Sequence, residues 1–308
     1  MNTAATPAHW ILRVAVAACF IGHGAFGLVT KAAWLPYFAI FGIPESWAWR
    51  LMPVIGAVDI SVGVLTLIQP VRAIILYMAL WGFQTACLRP LAGQGIWELL
   101  ERAGNYGVPL AFLCLFGAGR SLADWCSTRP APLLTVAHVE AVGWILRVTT
   151  ALLLIGHGAF GVLMHKDWSG YVAAVGISPA RVAAHPLTPL AGWFECVLGL
   201  IVLAWPSRRV LFFVFVWKLG TEALRPLAGE PLWEFVERGG AATARHSRSG
   251  GFRAGGRGYL AQPRLARLQD PAMMVHMFWM GDTGSVPPRY GQALPLSVNF
   301  PGCPCHSR

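Results

Sequence analysis

Two histidines occupy the same setting 134 residues apart, in Ile21-Gly-His23-Gly-Ala-Phe-Gly27 and Ile155-Gly-His157-Gly-Ala-Phe-Gly161. Each lies in a long apolar run, and the next apolar run carries a lone acid, Asp59 or Glu195. Imidazole titrates near neutrality and a neighbouring carboxylate tunes it, so such a pair suits proton exchange. A third run adds Thr85 and Arg89, matched by Thr221 and Arg225, and a guanidinium there could hold an anionic or carbonyl-bearing ligand. The second set also has Lys218 and Glu222, where the first has Gly82 and Ala86. Tyr106 joins the first set only. Ionisable groups inside a membrane span are costly and are functional candidates. The alternative is that they are structural pairs that neutralise one another.

The runs that must position these groups are membrane spans. The chain has 308 residues, 56% hydrophobic and only 12% charged, with mean hydropathy +0.54. A soluble domain carries about twice that share of charge, which excludes a soluble enzyme, a disordered chain and a disulfide-stapled secreted scaffold. Fourteen Trp fit a polytopic membrane protein, whose boundaries collect that residue. The net charge of +10 is uneven, because residues 239–308 hold eight Arg against two Asp.

An internal duplication organises the body. From Trp10 to Thr30, 13 of 21 positions recur 134 residues later. At an offset of 136, Leu88-Arg89-Pro-Leu-Ala-Gly93 returns as Leu224-Arg225-Pro-Leu-Ala-Gly229, and Glu101-Arg102 as Glu237-Arg238. Spans of about 20 apolar residues are expected at 10–30, 51–69, 72–89 and 105–119, then at 142–164, 187–205 and 208–225. The stretches 31–50 and 165–186 are too polar to cross. Trp34, Tyr37, Trp168 and Tyr171 are read as lying along the interface. Glu98, Glu101 and Arg102, with Glu234, Glu237 and Arg238, read as a solvated amphipathic face. Arg13 and Arg147 read as snorkelling to headgroups, and the glycines beside each histidine as permitting close helix approach.

Helical rise places the site residues in depth. His23 lies roughly 10 Å from the far membrane face and Asp59 about 12 Å, so the two are level, and His157 with Glu195 repeats the arrangement. Four spans per unit put both copies in the same orientation. The expected architecture is an all-α membrane protein: a first four-span repeat (1–119), a linker (120–141), a three-span second repeat (142–238) and a disordered tail (239–308). The positive-inside rule does not orient it, although the tight Pro70-Val-Arg72 and Pro206-Ser-Arg208 turns favour a cytoplasmic N-terminus.

The tail reads as out-of-frame sequence. Codons for Ala242-Thr-Ala-Arg-His-Ser-Arg-Ser249, regrouped by one base, permit Ser-Tyr-Gly-Ala-Pro-Leu-Ala-Leu, which matches Asn105-Tyr-Gly-Val-Pro-Leu-Ala-Phe112 at five positions. On that reading the Arg/Gly run at 248–257 is no RGG-type element, and no nucleic-acid partner is expected.

The four-span unit resembles the DoxX-like membrane proteins. The resemblance rests on Leu12-Arg13, on Gly24-Ala-Phe-Gly27 running to Lys31, and on Gly42-Ile-Pro44. Copy two has Leu146-Arg147, Gly158-Ala-Phe-Gly161 with Lys166, and Gly176-Ile-Ser-Pro179. The likeness implies a small bundle in the bacterial cytoplasmic membrane, of a family sometimes associated with quinone-linked redox chemistry. The lipid bilayer is the expected partner, other membrane redox subunits are candidates, and the cofactor is left open between quinone and none. The Gly-His-Gly element departs from that pattern, so no site role is carried over. A haem held by both histidines is the lesser alternative, because intramembrane His more often serves hydrogen-bonded proton networks. No metal site is expected, and whether the protein is an enzyme is left open.

Overall fold

The computed structural model describes residues 7–117, 119–128, 136–178 and 187–239. The tail from 240 onward, which carries the frame argument, lies outside the described residues, as does the centre of the expected linker. Among the described residues every regular element is helical.

Helix α1 (Pro7–Leu28) opens on a proline, whose missing N–H and fixed φ suit the first helical turn. A single 3-10 turn, Ala32–Trp34, and short α2 (Leu35–Ile40) lead into α3 (Glu45–Ile68). Gln69-Pro70 stops α3, and α4 (Arg72–Leu91) returns. Short α5 (Ile96–Glu101) precedes α6 (Ala103–Phe116), which ends at Gly117 with φ +83°. After α7 (Leu122–Trp125) comes α8 (Val136–Val162), then short α9 (Ser169–Ala173). The chain continues through α10 (Leu187–Ala204), α11 (Arg208–Leu227) and α12 (Leu232–Gly239).

Five described helices are long and apolar enough to cross a membrane: α1, α3, α4, α8 and α10. Their outward faces carry Val54, Val58, Leu65, Leu80, Phe83, Leu200 and Ile201, all exposed, which is consistent with an integral membrane protein. Two of the seven expected spans differ. Helix α6 has 14 residues, about 21 Å of rise against a hydrocarbon core of about 30 Å. Helix α11 has the length, but Arg208, Arg209, Lys218, Glu222 and Arg225 dilute its apolar character.

Small residues set the helix contacts. A Cβ on Gly24 would lie 2.6 Å from the Gly56 carbonyl oxygen, and one on Gly56 would lie 2.5 Å from that of Gly24. Only backbone hydrogens fit there, so α1 and α3 touch at the turn that carries His23. In α8 and α10, Gly158 and Gly192 meet likewise, at 2.4 and 2.5 Å. Leu12, Val16 and Phe20 of α1 join Ile75, Met78, Phe112, Phe116 and Leu146 in one core, which ties α4, α6 and α8 together.

Arg13 and Arg147 are both held by backbone carbonyls of a neighbouring helix. Arg13 is buried and donates from Nε to the Thr66 carbonyl at 3.0 Å and from Nη2 to that of Ile68. Arg147 does the same to Val202, at 3.2 Å, and to Leu203. Each guanidinium satisfies the open carbonyls at a helix C-terminus, where a cation also complements the dipole. Trp10 and Trp144 cover the two guanidinium groups at 4.2 and 4.3 Å. Arg13→Met is therefore expected to cost about 2–3 kcal/mol, read as a lowered melting temperature in detergent. A change below 0.5 kcal/mol would return Arg13 to the headgroup role.

Candidate functional site

The site is built where α1 crosses α3. Close approach at Gly24 and Gly56 places His23 beside Asp59, with Nδ1 to Oδ2 at 2.8 Å. Asp59 is fully buried. With Asp59 ionised, Nδ1–H donates to it and Nε2 becomes the exchangeable ring position. Trp34 stacks on the imidazole at 4.8 Å and 24°. The second set repeats this design: His157 Nδ1 bonds Glu195 Oε2, and Trp168 stacks on the ring at 4.9 Å and 12°. In each set the histidine meets the acid expected opposite it, and both acids are buried.

The other expected residues take different places. Arg89 donates to Gln94 at 3.4 Å and to Glu98 at 3.3 Å, while Tyr37 donates its hydroxyl to Gln94 at 2.9 Å. Arg225 bonds Glu222 at 2.8 Å, Glu230 at 3.0 Å and the Tyr171 hydroxyl at 3.1 Å. Lys218 lies 3.7 Å from Glu195 and 3.3 Å from Glu222. The Thr85 and Thr221 hydroxyls each donate to a carbonyl of their own helix, at 3.1 Å. Tyr106 turns away from the layer: its hydroxyl donates to the Leu99 carbonyl at 3.3 Å and its ring packs on Phe83. It is Asn105, one residue earlier, that lines the space beside His23.

That space is a cavity of about 230 Å³ between His23 and Arg89, walled by Trp34, Tyr37, Trp81 and Thr85. A cavity of roughly 150 Å³ holds benzene, so this one has room for a substituted single ring. Two buried polar atoms near it lack hydrogen-bond partners, Asp59 Oδ1 and Trp81 Nε1. Their counterparts are joined, with Trp217 donating from Nε1 to Glu195 Oε1 at 2.8 Å. Asp59 is one methylene shorter than Glu195, which accounts for the lost contact.

Sequence reasoning missed the roof of the site. Trp34 is buried against the histidine, and Tyr37 and Tyr171 bond into the clusters around Arg89 and Arg225. Their recurrence at the same offset as the histidines was the available signal.

The expected solvated face is also corrected. Glu98, Glu101 and Glu237 are buried. Helix α5 packs on α8 while α12 packs on α1, and the charges cross reciprocally. Glu101 pairs with Arg238 at 2.5 Å, and Arg102 with Glu237 at 3.1 Å. Lys31 reaches Glu234 at 3.3 Å, and Lys166 reaches Glu98 at 2.5 Å. Burial opposes ionisation of Glu101, but Arg238 and then Arg102 outweigh it and hold the carboxyl well below the usual carboxylate range. Glu237 is likewise lowered, by Arg102 foremost, against its burial.

Among the described residues, no three His, Cys, Asp or Glu side chains form a metal-binding group. Comparisons of the chain with protein-family models, with curated proteins and with solved structures gave no match.

Proposed function

We propose that this integral membrane protein binds a small lipophilic ring compound, a quinone by class, in the cavity between His23 and Arg89. The observation that carries the reading is the cavity itself: aromatic walls, a histidine–acid pair at one side and a guanidinium at the other. Most binding sites share that plan of apolar lining and few convergent polar groups. Arg89 would bind a ring oxygen, since its present partners are an amide and one carboxylate shared with Lys166. His23 would hold the exchangeable proton on Nε2, with Asp59 orienting the ring and Trp34 fixing its plane. A bound quinone would supply two-electron redox chemistry coupled to protons. The likeness to DoxX-like proteins points the same way and suggests a tandem pair of parallel bundles acting beside membrane redox subunits in a bacterial inner membrane.

The test is solvent extraction of the detergent-purified protein followed by mass analysis. A ring-bearing lipid retained by the wild type and lost from Arg89→Leu is the expected result. Equal retention by both, or none by the wild type, would overturn it.

A proton-coupled carrier is the second reading, favoured by the continuous ionisable series His157, Glu195, Lys218, Glu222 and Arg225. It requires pH-gradient-driven uptake in liposomes that disappears in Asp59→Asn with Glu195→Gln. A purely structural partner of another membrane complex would show neither binding nor uptake.

A further inference from the structure

We propose that only the first of the two sites takes a ligand, and that Glu222, held by Arg225 and flanked by Lys218, is the chain's own occupant of the second. The inference rests on the ring-site reading given above and adds which half of the molecule performs it.

Helices α4 and α11 correspond at an offset of 136, and Trp81, Thr85 and Arg89 recur unchanged as Trp217, Thr221 and Arg225. The differences are at Gly82 and Ala86, which become Lys218 and Glu222. These positions are four apart and share one helix face. In the first site Ala86 lines the cavity, whereas Gly82 packs against the backbone of α6, where a Cβ would lie 2.3 Å from the Asn105 carbonyl oxygen. In the second the two positions carry long side chains of opposite charge, 3.3 Å apart and almost wholly removed from solvent.

Glu222 accepts from Arg225 Nε at 2.8 Å, and Lys218 stands within ion-pair distance of the acid of the original set. Lys218 lies 3.7 Å from Glu195 Oε1, which also accepts from Trp217, while His157 holds Oε2. Both oxygens of that carboxylate are therefore engaged. In the first site Asp59 Oδ1 and Trp81 Nε1 have no hydrogen-bond partner, whereas their counterparts Glu195 Oε1 and Trp217 Nε1 bond each other and the unmatched atom of the second site is the added Lys218 Nζ.

The arginines differ in the same sense. Arg225 faces two carboxylates, Glu222 and Glu230, which more than balance its charge. Arg89 faces Glu98 and the neutral Gln94, and Glu98 is already paired with Lys166. Only Arg89 keeps positive charge for an incoming oxygen. The ligand is thus a single-ring carbonyl or phenolate compound, bound once per chain.

The probe is decylubiquinone, titrated into the full chain in detergent and counted by equilibrium dialysis. One equivalent is expected for the wild type, and two for Lys218→Gly with Glu222→Ala. A photoreactive azidoquinone on the unmodified chain is expected to label residues 34–41 or 81–89, and this decides the matter if the double variant fails to fold. Two equivalents on the wild type, or label on residues 168–175 or 217–225, would overturn the assignment while leaving the ring-site reading intact. No binding at all would remove both.

Discussion

Arg238→Leu is expected to destabilise the folded protein by about 3–5 kcal/mol, the cost of removing one partner from a buried ion pair. Arg238 pairs with Glu101 at 2.5 Å and with Glu234 at 3.5 Å, so its loss strands carboxylates that cannot reach water. The helices have no room to adjust. A Cβ on Gly156 would lie 2.2 Å from the Glu101 backbone nitrogen, and one on Gly22 would lie 2.5 Å from that of Glu237. Each half therefore presses a charged short helix into the glycine notch of the other half's histidine helix. The reciprocal pairs are what make that contact tolerable in an apolar surrounding.

The same pairs set an acid limit. Glu101 and Glu237 have lowered pKa values in the folded state, so their contribution is fully present above the ordinary carboxylate pKa of about 4.3. It is lost as pH falls through the folded values. Thermal melts in detergent should show stability falling below about pH 4, with a smaller acid loss in Arg238→Leu. The charge-swapped Glu101→Arg with Arg238→Glu should recover part of the deficit. A single-variant loss below 1 kcal/mol would show the latch to be a bystander.

Asp59→Asn is expected to weaken decylubiquinone binding about tenfold to a hundredfold, the range for one charge-assisted hydrogen bond of about 1.5–3 kcal/mol. The amide preserves volume but removes the charge that holds His23 Nδ1 at 2.8 Å. The ring can then turn or change tautomer, and Nε2 no longer stands fixed against the cavity. Glu195→Gln should leave binding unchanged, since Glu222 occupies its site and holds Arg225. Titration of both variants separates the cases, because an equal effect would mean a shared structural role. Unchanged affinity in Asp59→Asn would remove His23 from the ligand site.

Some of this was legible from residue order alone. The rise of a helix is constant, so counting residues from each membrane boundary put His23 level with Asp59 and His157 level with Glu195. The small residues flanking each histidine marked that turn as a place where another helix could approach closely. Apolar length located the five membrane-length helices, because dehydrating a backbone leaves an apolar helix few alternatives.

Other features depend on chain segments far apart in sequence. A segment such as Trp97-Glu-Leu-Leu-Glu-Arg102 has the same amphipathic pattern whether its charges meet water or their opposites. Only the docking of α5 on α8 and α12 on α1 decided that Glu101 and Arg238 are buried partners. The partners of Arg13 were hidden for the same reason, since Thr66 lies 53 residues away. The stacking of Trp34 on the nearby His23 depends instead on how the chain turns after α1. Periodicity reports which face of a helix is apolar, whereas the identity of a buried polar group's partner is set by three-dimensional packing. Tertiary structure therefore decided the cavity, the capped helix ends and the cross-linked halves, while the residue order determined the helices and the paired layer within them.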